Sequence, residues 1–524
     1  MCASSQPLAS AVGISILNAG GSAADAGVSM AAALNVTEPT STGLGGDVFV
    51  LYFQASDQKV YAINGSGRAP ASLTLARLQK EGFGQTLPAA HPYTITVPGA
   101  CAAWVDLLQR FGRMSLEKVL APAIDLAEQG FPVAPITAWF WDRAAKNLLA
   151  KSVNGRELTL AGQAPHAGEL FRNPGLARTL RSIAEGGKTA YYQGEIGHAI
   201  AAVIAEAGGC LAESDLAAHT STWVEPISVD YRGLRVWECP PNGQGLAALI
   251  ALNILKGFDL QDQDPSGADR FHLMIEAMRL AFADAFQYIA DPEFSQIPLA
   301  GLLSEGYASE RRKLIDPKAV MQKVMHGRPP AISDTVYFCA VDEEGNACSF
   351  IASNYMGFGT GIVPSGWGFS LQNRGHNFSL DPASPNALAP GKRPYHTIIP
   401  ALATDALTGA LIGPLGVMGG FMQPQGHLQV VVGLTDDRFD PQAVLDRPRF
   451  CLTPESPSPR VAIEEGVSAE TVARLAEMGH PLETISGMGR ATFGRGQIIL
   501  RDPQTGVLCG GSDPRADGCA IPQV

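Results

Sequence analysis

Long apolar runs are missing from this chain. The longest, Gly245 to Leu255, falls well short of the roughly 18 residues that a membrane-spanning helix needs. The start carries no charged region followed by an apolar core: Met1-Cys2-Ala3-Ser4-Ser5-Gln6-Pro7 leads straight into helical spacing, which argues against a secretory signal. Paired cysteines are lacking too, since the nine present are odd in number and contain no C-x-x-C, so neither a disulfide framework nor a zinc site is expected. Basic charge is scarce: Lys and Arg total 38 against 50 Asp and Glu, a net charge of −12. That balance argues against nucleic acid or an anionic membrane as the main partner, while leaving room for a locally basic pocket and a small anionic substrate. A reducing, cytoplasmic setting is the expectation. With 524 residues, 46% hydrophobic and 17% charged, the chain can build a substantial core in one large unit or two to three domains.

Apolar segments alternate with glycine loops. Leu8, Val12 and Ile16 recur at helical spacing until Gly20-Gly21 stops them, and Ser22 to Leu34 reads as an alanine-rich helix that can pack closely on a neighbour. Thr37 to Asp47 is too glycine-rich for helix or strand, and Val48 to Phe53 is a continuous apolar strand of the kind buried on both faces. No Lys-Ser/Thr follows those glycines and a strand comes next, so a phosphate loop is the poorer reading. Tyr61 to Asn64 is a further strand, and residues 115 to 223 are mainly helical in pattern, with no chemical motif. Ser266-Gly267-Ala268-Asp269 reads as a capping box for a helix with Phe271, Ile275, Met278 and Phe282 on its apolar face. His272 and Glu276 share a face of it, but with no third ligand nearby they read as a solvated pair and not a metal site. Gly413 to Gly420 precedes a helix from Gln425. It lacks the βαβ unit and acidic partner of a dinucleotide site, whereas N–H groups at a helix start suit an anion or oxyanion. No cofactor and no metal are expected.

From Leu314 to Ser333 the composition shifts to Lys, Arg and Pro without periodicity, an exposed linker of the kind that tolerates cleavage. It delivers the chain to Asp334 and then to a strand from Thr335, a turn at Glu343-Glu344-Gly345-Asn346 and a second strand, Ala347 to Ser353. If Asp342 pairs with Ala347, Thr335 lies opposite Ser353 or Asn354, because paired positions in an antiparallel hairpin keep a constant sum. Two hydroxyls facing each other are bland inside an intact chain. They are chemically potent if the chain is cut between Asp334 and Thr335.

Taken together, Gly20 to Ala26, Glu38-Pro39 through Gly46, Val97-Pro98-Gly99, Asp342 to Ala347, Phe358 to Gly361, Pro390 to Pro394 and Gly419-Gly420 resemble the γ-glutamyltransferase family of N-terminal-nucleophile hydrolases, over nearly the whole length and in the family's order. The resemblance implies an α+β fold, the αββα sandwich with two central antiparallel sheets between helical layers. It also implies a proenzyme that cuts itself before Thr335, giving a large subunit of residues 1–334 and a small one of 335–524 that together form one fold. A heterodimer, or a dimer of heterodimers, follows from the same resemblance. Thr335 would be the nucleophile, activated by its own new α-amine, whose pKa of about 7.7–8.0 lets it accept a proton near neutrality. Ser353 falls where the family places a second threonine bonded to the nucleophile, and Gly419 and Gly420 match its oxyanion-hole glycines.

The chain departs from the family where the glutamyl group is gripped. The arginine of the family's R-E-x-A-P motif is Ser66 here, followed by Gly67 and Arg68. The asparagine two residues past the second threonine is Tyr355, the aspartate that holds the α-ammonium is Asn377, and the paired serines are His396 and Thr397. Arg374 stands three residues before Asn377 and His376 next to it. Losing the aspartate removes the partner of an ammonium, while Arg374, His376, His396 and Arg68 suit a carboxylate. A small carboxylated amide is therefore expected, and in this the chain most resembles the family's oxamate amidohydrolase branch, which implies hydrolysis of oxamate to oxalate and ammonia in purine (allantoin) nitrogen breakdown. The alternatives are a γ-glutamyl compound or a glutaryl-type side chain as in the related cephalosporin acylases.

Overall fold

The computed structural model describes residues 1–321, 334–453 and 460–524, with Asp334 described by its backbone alone. The hairpin predicted from the alternation is present, as strands Asp334–Val341 and Ala347–Tyr355. Its register pairs Ala347 with Val341 and Ala352 with Val336, then shifts so that Tyr355 faces Asp334. That is one residue off the Asp342–Ala347 pairing assumed above; the shift sets Ser353 and Asn354 together against Thr335, and it is Ser353 whose hydroxyl bonds Thr335, at 3.3 Å. The turn is set by Gly345 at φ 85° and by Asp342, whose Oδ1 accepts the Asn346 N–H at 2.9 Å.

A third strand, Asp47–Gln54, pairs with the other edge of Ala347–Tyr355 and places Asp47 directly opposite Ser353. These strands sit at the centre of a seven-stranded sheet in the order 519–521, 2–4, 334–341, 347–355, 47–54, 59–65, 222–224. A six-stranded sheet runs 508–512, 495–501, 411–418, 401–405, 234–238, 227–231. Pairing in both is antiparallel. The fold is thus mixed α/β with antiparallel sheets, and each large sheet contains strands from before and after Thr335, interleaved in the seven-stranded one and meeting at 401–405 and 234–238 in the other.

Phe49, Leu51, Tyr337, Ile351, Leu402 and Ile499 form one core cluster drawn from both sheets. Helices including Ala23–Thr37 and Ala100–Phe111 share a cluster with the seven-stranded sheet, and Gly245–Leu255, Ala268–Tyr288 and Met422–Thr435 share one with the other. Helix Ala23–Thr37 is buried at every residue, which its small side chains allow: a Cβ added at Gly27 would lie 2.8 Å from Cys348 Sγ. The longest apolar run is likewise a fully buried helix, and among the described residues no helix is long and apolar enough to cross a membrane.

Two sequence expectations need correction. The capping box lies at Ser22–Asp25, where side chain and backbone exchange hydrogen bonds, and not at Ser266–Asp269. The helix there begins at Ala268 with Gly267 as its cap, which leaves Ser266 one residue too early to cap it. His272 and Glu276 are not solvated; both are fully buried. Glu276 pairs with Arg279 and accepts the Met321 N–H at 2.8 Å. His272 donates from Nε2 to the Asp316 carbonyl (2.7 Å), so its Nδ1 accepts from His480 Nε2 (2.7 Å), and His480 Nδ1 is left without a partner among the described residues. Burial, reinforced by the neighbouring His272 and Arg279, lowers the His480 pKa from 6.5 to about 4. The fold therefore favours neutral His480, so its contribution is intact above about pH 6.5 and is lost as pH falls toward 4. His480→Gln is expected to remove about 2–3 kcal/mol from the stability lost across that window, read by urea unfolding at several pH values.

Candidate active site

Directly opposed residues on an antiparallel ladder point to one face, so the register sets Thr335, Ser353 and Asp47 side by side. All three are fully buried. The Thr335 hydroxyl donates to Ser353 Oγ at 3.3 Å, and Ser353 Oγ also accepts the Tyr355 N–H at 2.7 Å. The strand shift after Ala352 puts Tyr355 at φ 78°, unusual for an aromatic residue, and brings its ring beneath Arg374, with Cζ 4.5 Å from the ring centroid.

Gly419 and Gly420, at φ 132° and 59°, join strand Leu411–Met418 to helix Met422–Thr435, backbone that a side chain would strain. Gln244 ties this junction to the neighbouring loop, donating from Nε2 to the Thr397 and Gly420 carbonyls at 2.6 and 2.8 Å. Its Oε1 accepts the Tyr395 hydroxyl at 3.1 Å.

Arg374 is fully buried and donates through Nη1 to Thr397 Oγ1 at 2.7 Å, while its Nε and Nη2 have no partner among the described residues. Burial lowers its pKa to about 10, with Asp47 and Tyr355 opposing, so it stays a cation at neutral pH. Asp47 Oδ1 accepts the Gly67 and Gly99 N–H groups, each at 3.1 Å, and Gln372 Nε2 at 3.0 Å. His396 completes it: the Ile398 N–H donates to Nδ1 at 3.4 Å, which leaves the proton on Nε2, 3.0 Å from Asp47 Oδ2. Burial pushes Asp47 up to about 6, against Arg374.

The other cationic candidates are placed differently from what the sequence suggested. His396 is held neutral by burial and the Arg374 and Arg393 charges. His376 is likewise lowered by burial and donates from Nδ1 to the Leu87 carbonyl at 2.5 Å. Arg68, with a side chain 29% exposed, is engaged by Asp291, Glu293 and the Gly391 carbonyl. Ser66 bonds Asn64 Oδ1 at 2.7 Å, and Asn377 donates to the Tyr395 carbonyl at 3.1 Å with its Oδ1 lacking a partner among the described residues. Arg374 is thus the one predicted arginine whose guanidinium is buried beside Thr397 and Asp47.

Asp47, Gln244 and Gln423, whose Nε2 lies 3.5 Å from Thr335 Oγ1, were not legible as site residues. Asp47 did carry a signal, an acid opening an otherwise apolar strand. Beside this group lies a cavity of about 710 Å³ lined by Phe286, Tyr395, Phe421, His376, Asn377 and Gln85 among others.

A gamma-glutamyltranspeptidase family model matches residues 9–523. The chain is 35% identical over 523 residues to the glutathione hydrolase-like YwrD proenzyme of Bacillus subtilis, covering 99% of this chain and 98% of that one. It is 34% identical over 521 residues to the oxamate amidohydrolase proenzyme of Klebsiella pneumoniae, covering 98% and 96%. The crystal structure of cephalosporin acylase from Bacillus halodurans matches with a TM-score of 0.91 at 46% identity, over 99% of this chain and 94% of that one. With the motif order, the Thr335–Ser353 pair and these matches in agreement, the chain belongs to the gamma-glutamyltranspeptidase family and is a hydrolase.

Proposed function

We propose that this chain is a self-cleaving amide hydrolase whose acyl substrate bears a carboxylate and no α-ammonium group. The cut falls between Asp334 and Thr335 and yields subunits 1–334 and 335–524, and the two sheets with their flanking helices make up the αββα sandwich. Thr335 attacks the amide carbonyl, with Gly419 and Gly420 supplying the oxyanion donors and Ser353 orienting the hydroxyl. The observation that carries the substrate reading is Arg374, a buried cation with two donor groups free of described partners. A buried charge is costly unless bonded, and a carboxylate fits its fork. Asn377 supplies no charge for an ammonium, which disfavours γ-glutamyl substrates. Oxamate, the smallest such amide, is the first candidate.

A glutaryl-type acyl group is the second reading. The 710 Å³ cavity has far more room than oxamate needs, and its aromatic walls suit a larger amide. Initial rates on oxamate, a glutaryl anilide and a γ-glutamyl anilide separate these readings. Turnover of the γ-glutamyl anilide alone would sink both.

A further inference from the structure

We propose that the side-chain amide of Gln423 is a catalytic group, donating a hydrogen bond to Thr335 Oγ1 as that oxygen attacks and again as it leaves. Which end of the amide faces the nucleophile is set by its other partner. The Ile399 N–H can only donate, and it does so to Gln423 Oε1 at 2.9 Å. The NH2 end therefore points to Thr335, with Nε2 3.5 Å from Oγ1. Gln423 is fully buried and stands in the first turn of the helix that follows Gly420, its own N–H bonded to the Gly420 carbonyl at 3.2 Å. The amide and the oxyanion glycines thus share one rigid element.

A hydroxyl oxygen has one proton and two acceptor sites. Here the proton is directed to Ser353 Oγ at 3.3 Å and Gln423 covers one acceptor site, which leaves the other lone pair for attack. On attack the Oγ1–C bond forms and the O–H proton passes by way of the α-amine to the departing nitrogen as the C–N bond breaks. In the second half water adds to the acyl carbon, the C–Oγ1 bond breaks, and a proton from that water returns to Oγ1. In self-cleavage the same oxygen attacks the Asp334 carbonyl carbon, the bond to the Thr335 nitrogen breaks as that nitrogen takes up the O–H proton, and water then hydrolyses the resulting ester, returning a proton to Oγ1. Oγ1 carries more negative charge in each transition state than in the resting hydroxyl. A preset donor in a buried site therefore favours the transition state over the ground state.

The inference rests on Thr335 as nucleophile, and the test keeps the two claims apart. Gln423→Glu retains the acceptor for the Ile399 N–H and replaces the donor with a carboxyl oxygen. Self-cleavage, and turnover of whichever panel amide the wild type accepts, are expected to fall about 10–100-fold, with KM changed less than about 3-fold. The variant-to-wild-type ratio should rise as pH is lowered, because protonating the introduced carboxyl restores a donor. Gln423→Met, with no donor at any pH, should show a similar loss and a flat ratio, and it serves where a buried carboxylate prevents folding. Wild-type rates in either soluble variant, or a loss confined to KM, would overturn the role of Gln423. A wild type that never cleaves, or a Thr335→Ala variant that does, would overturn the nucleophile instead.

Discussion

Thr335→Ala is expected to leave the protein as one 55.1 kDa band on denaturing electrophoresis, where the wild type resolves into two. The variant should also lack amide turnover above background, a loss of about 10⁴-fold or more, as for other nucleophile deletions. Under the proposed mechanism one oxygen serves both reactions: Thr335 Oγ1 attacks first its own peptide bond and then the substrate. The fold should tolerate the change, since removing a hydroxyl bonded to Ser353 at 3.3 Å costs only about 1 kcal/mol. Thr335→Ser keeps the oxygen and should still cleave. Mass spectrometry of the fragments gives the cut site, and a small fragment beginning anywhere but at residue 335 would displace the assignment.

Arg374→Met is expected to lower kcat/KM for a carboxylated amide by about 10²–10³-fold, the worth of one or two charge-assisted hydrogen bonds in a buried site, and mostly through KM. An uncharged amide of similar size should lose far less. Removing Arg374 also takes away the cation beside Asp47, whose pKa is already pushed up to about 6. Asp47→Asn in the same chain should therefore recover part of the stability that Arg374→Met loses, without recovering activity. Equal losses on charged and uncharged amides would show that Arg374 serves the fold alone.

The hairpin could be read from the chain because alternation and a constant pairing sum are local properties, whereas a nucleophilic role for Thr335 follows from the family resemblance and is what Thr335→Ala tests. A one-residue error in the assumed pairing still left Ser353 as one of two choices. The departures at Asn377 and Thr397 were legible for a similar reason, since each sits beside a recognisable motif. The charge states of the pocket were not. His396 looks cationic in sequence, yet its proton is placed by the Ile398 N–H and by Asp47, which is 349 positions away. Gln423 and Gln244 carry no sequence signal, because an amide gains meaning only from what its two ends meet. His272 read as solvated because helical spacing shows which residues share a face, not whether another element covers it; here His480, 208 positions on, does so.

The strand order of the two large sheets has a consequence for how long the protein lasts. Strand 334–341 lies between 2–4 and 347–355, and strand 401–405 between 234–238 and 411–418. Until the proposed cut before Thr335, the pieces are held at high effective concentration by one backbone. Afterwards they share only their hydrogen-bond ladders and cores, and reunion after melting becomes a second-order encounter between two incomplete sheets. Thr335→Ala protein should then regain its fold on cooling while processed protein, melted alongside at low concentration, aggregates. Maturation on this view works as a ratchet: the enzyme's working life is set by its unfolding rate, not by a reversible equilibrium.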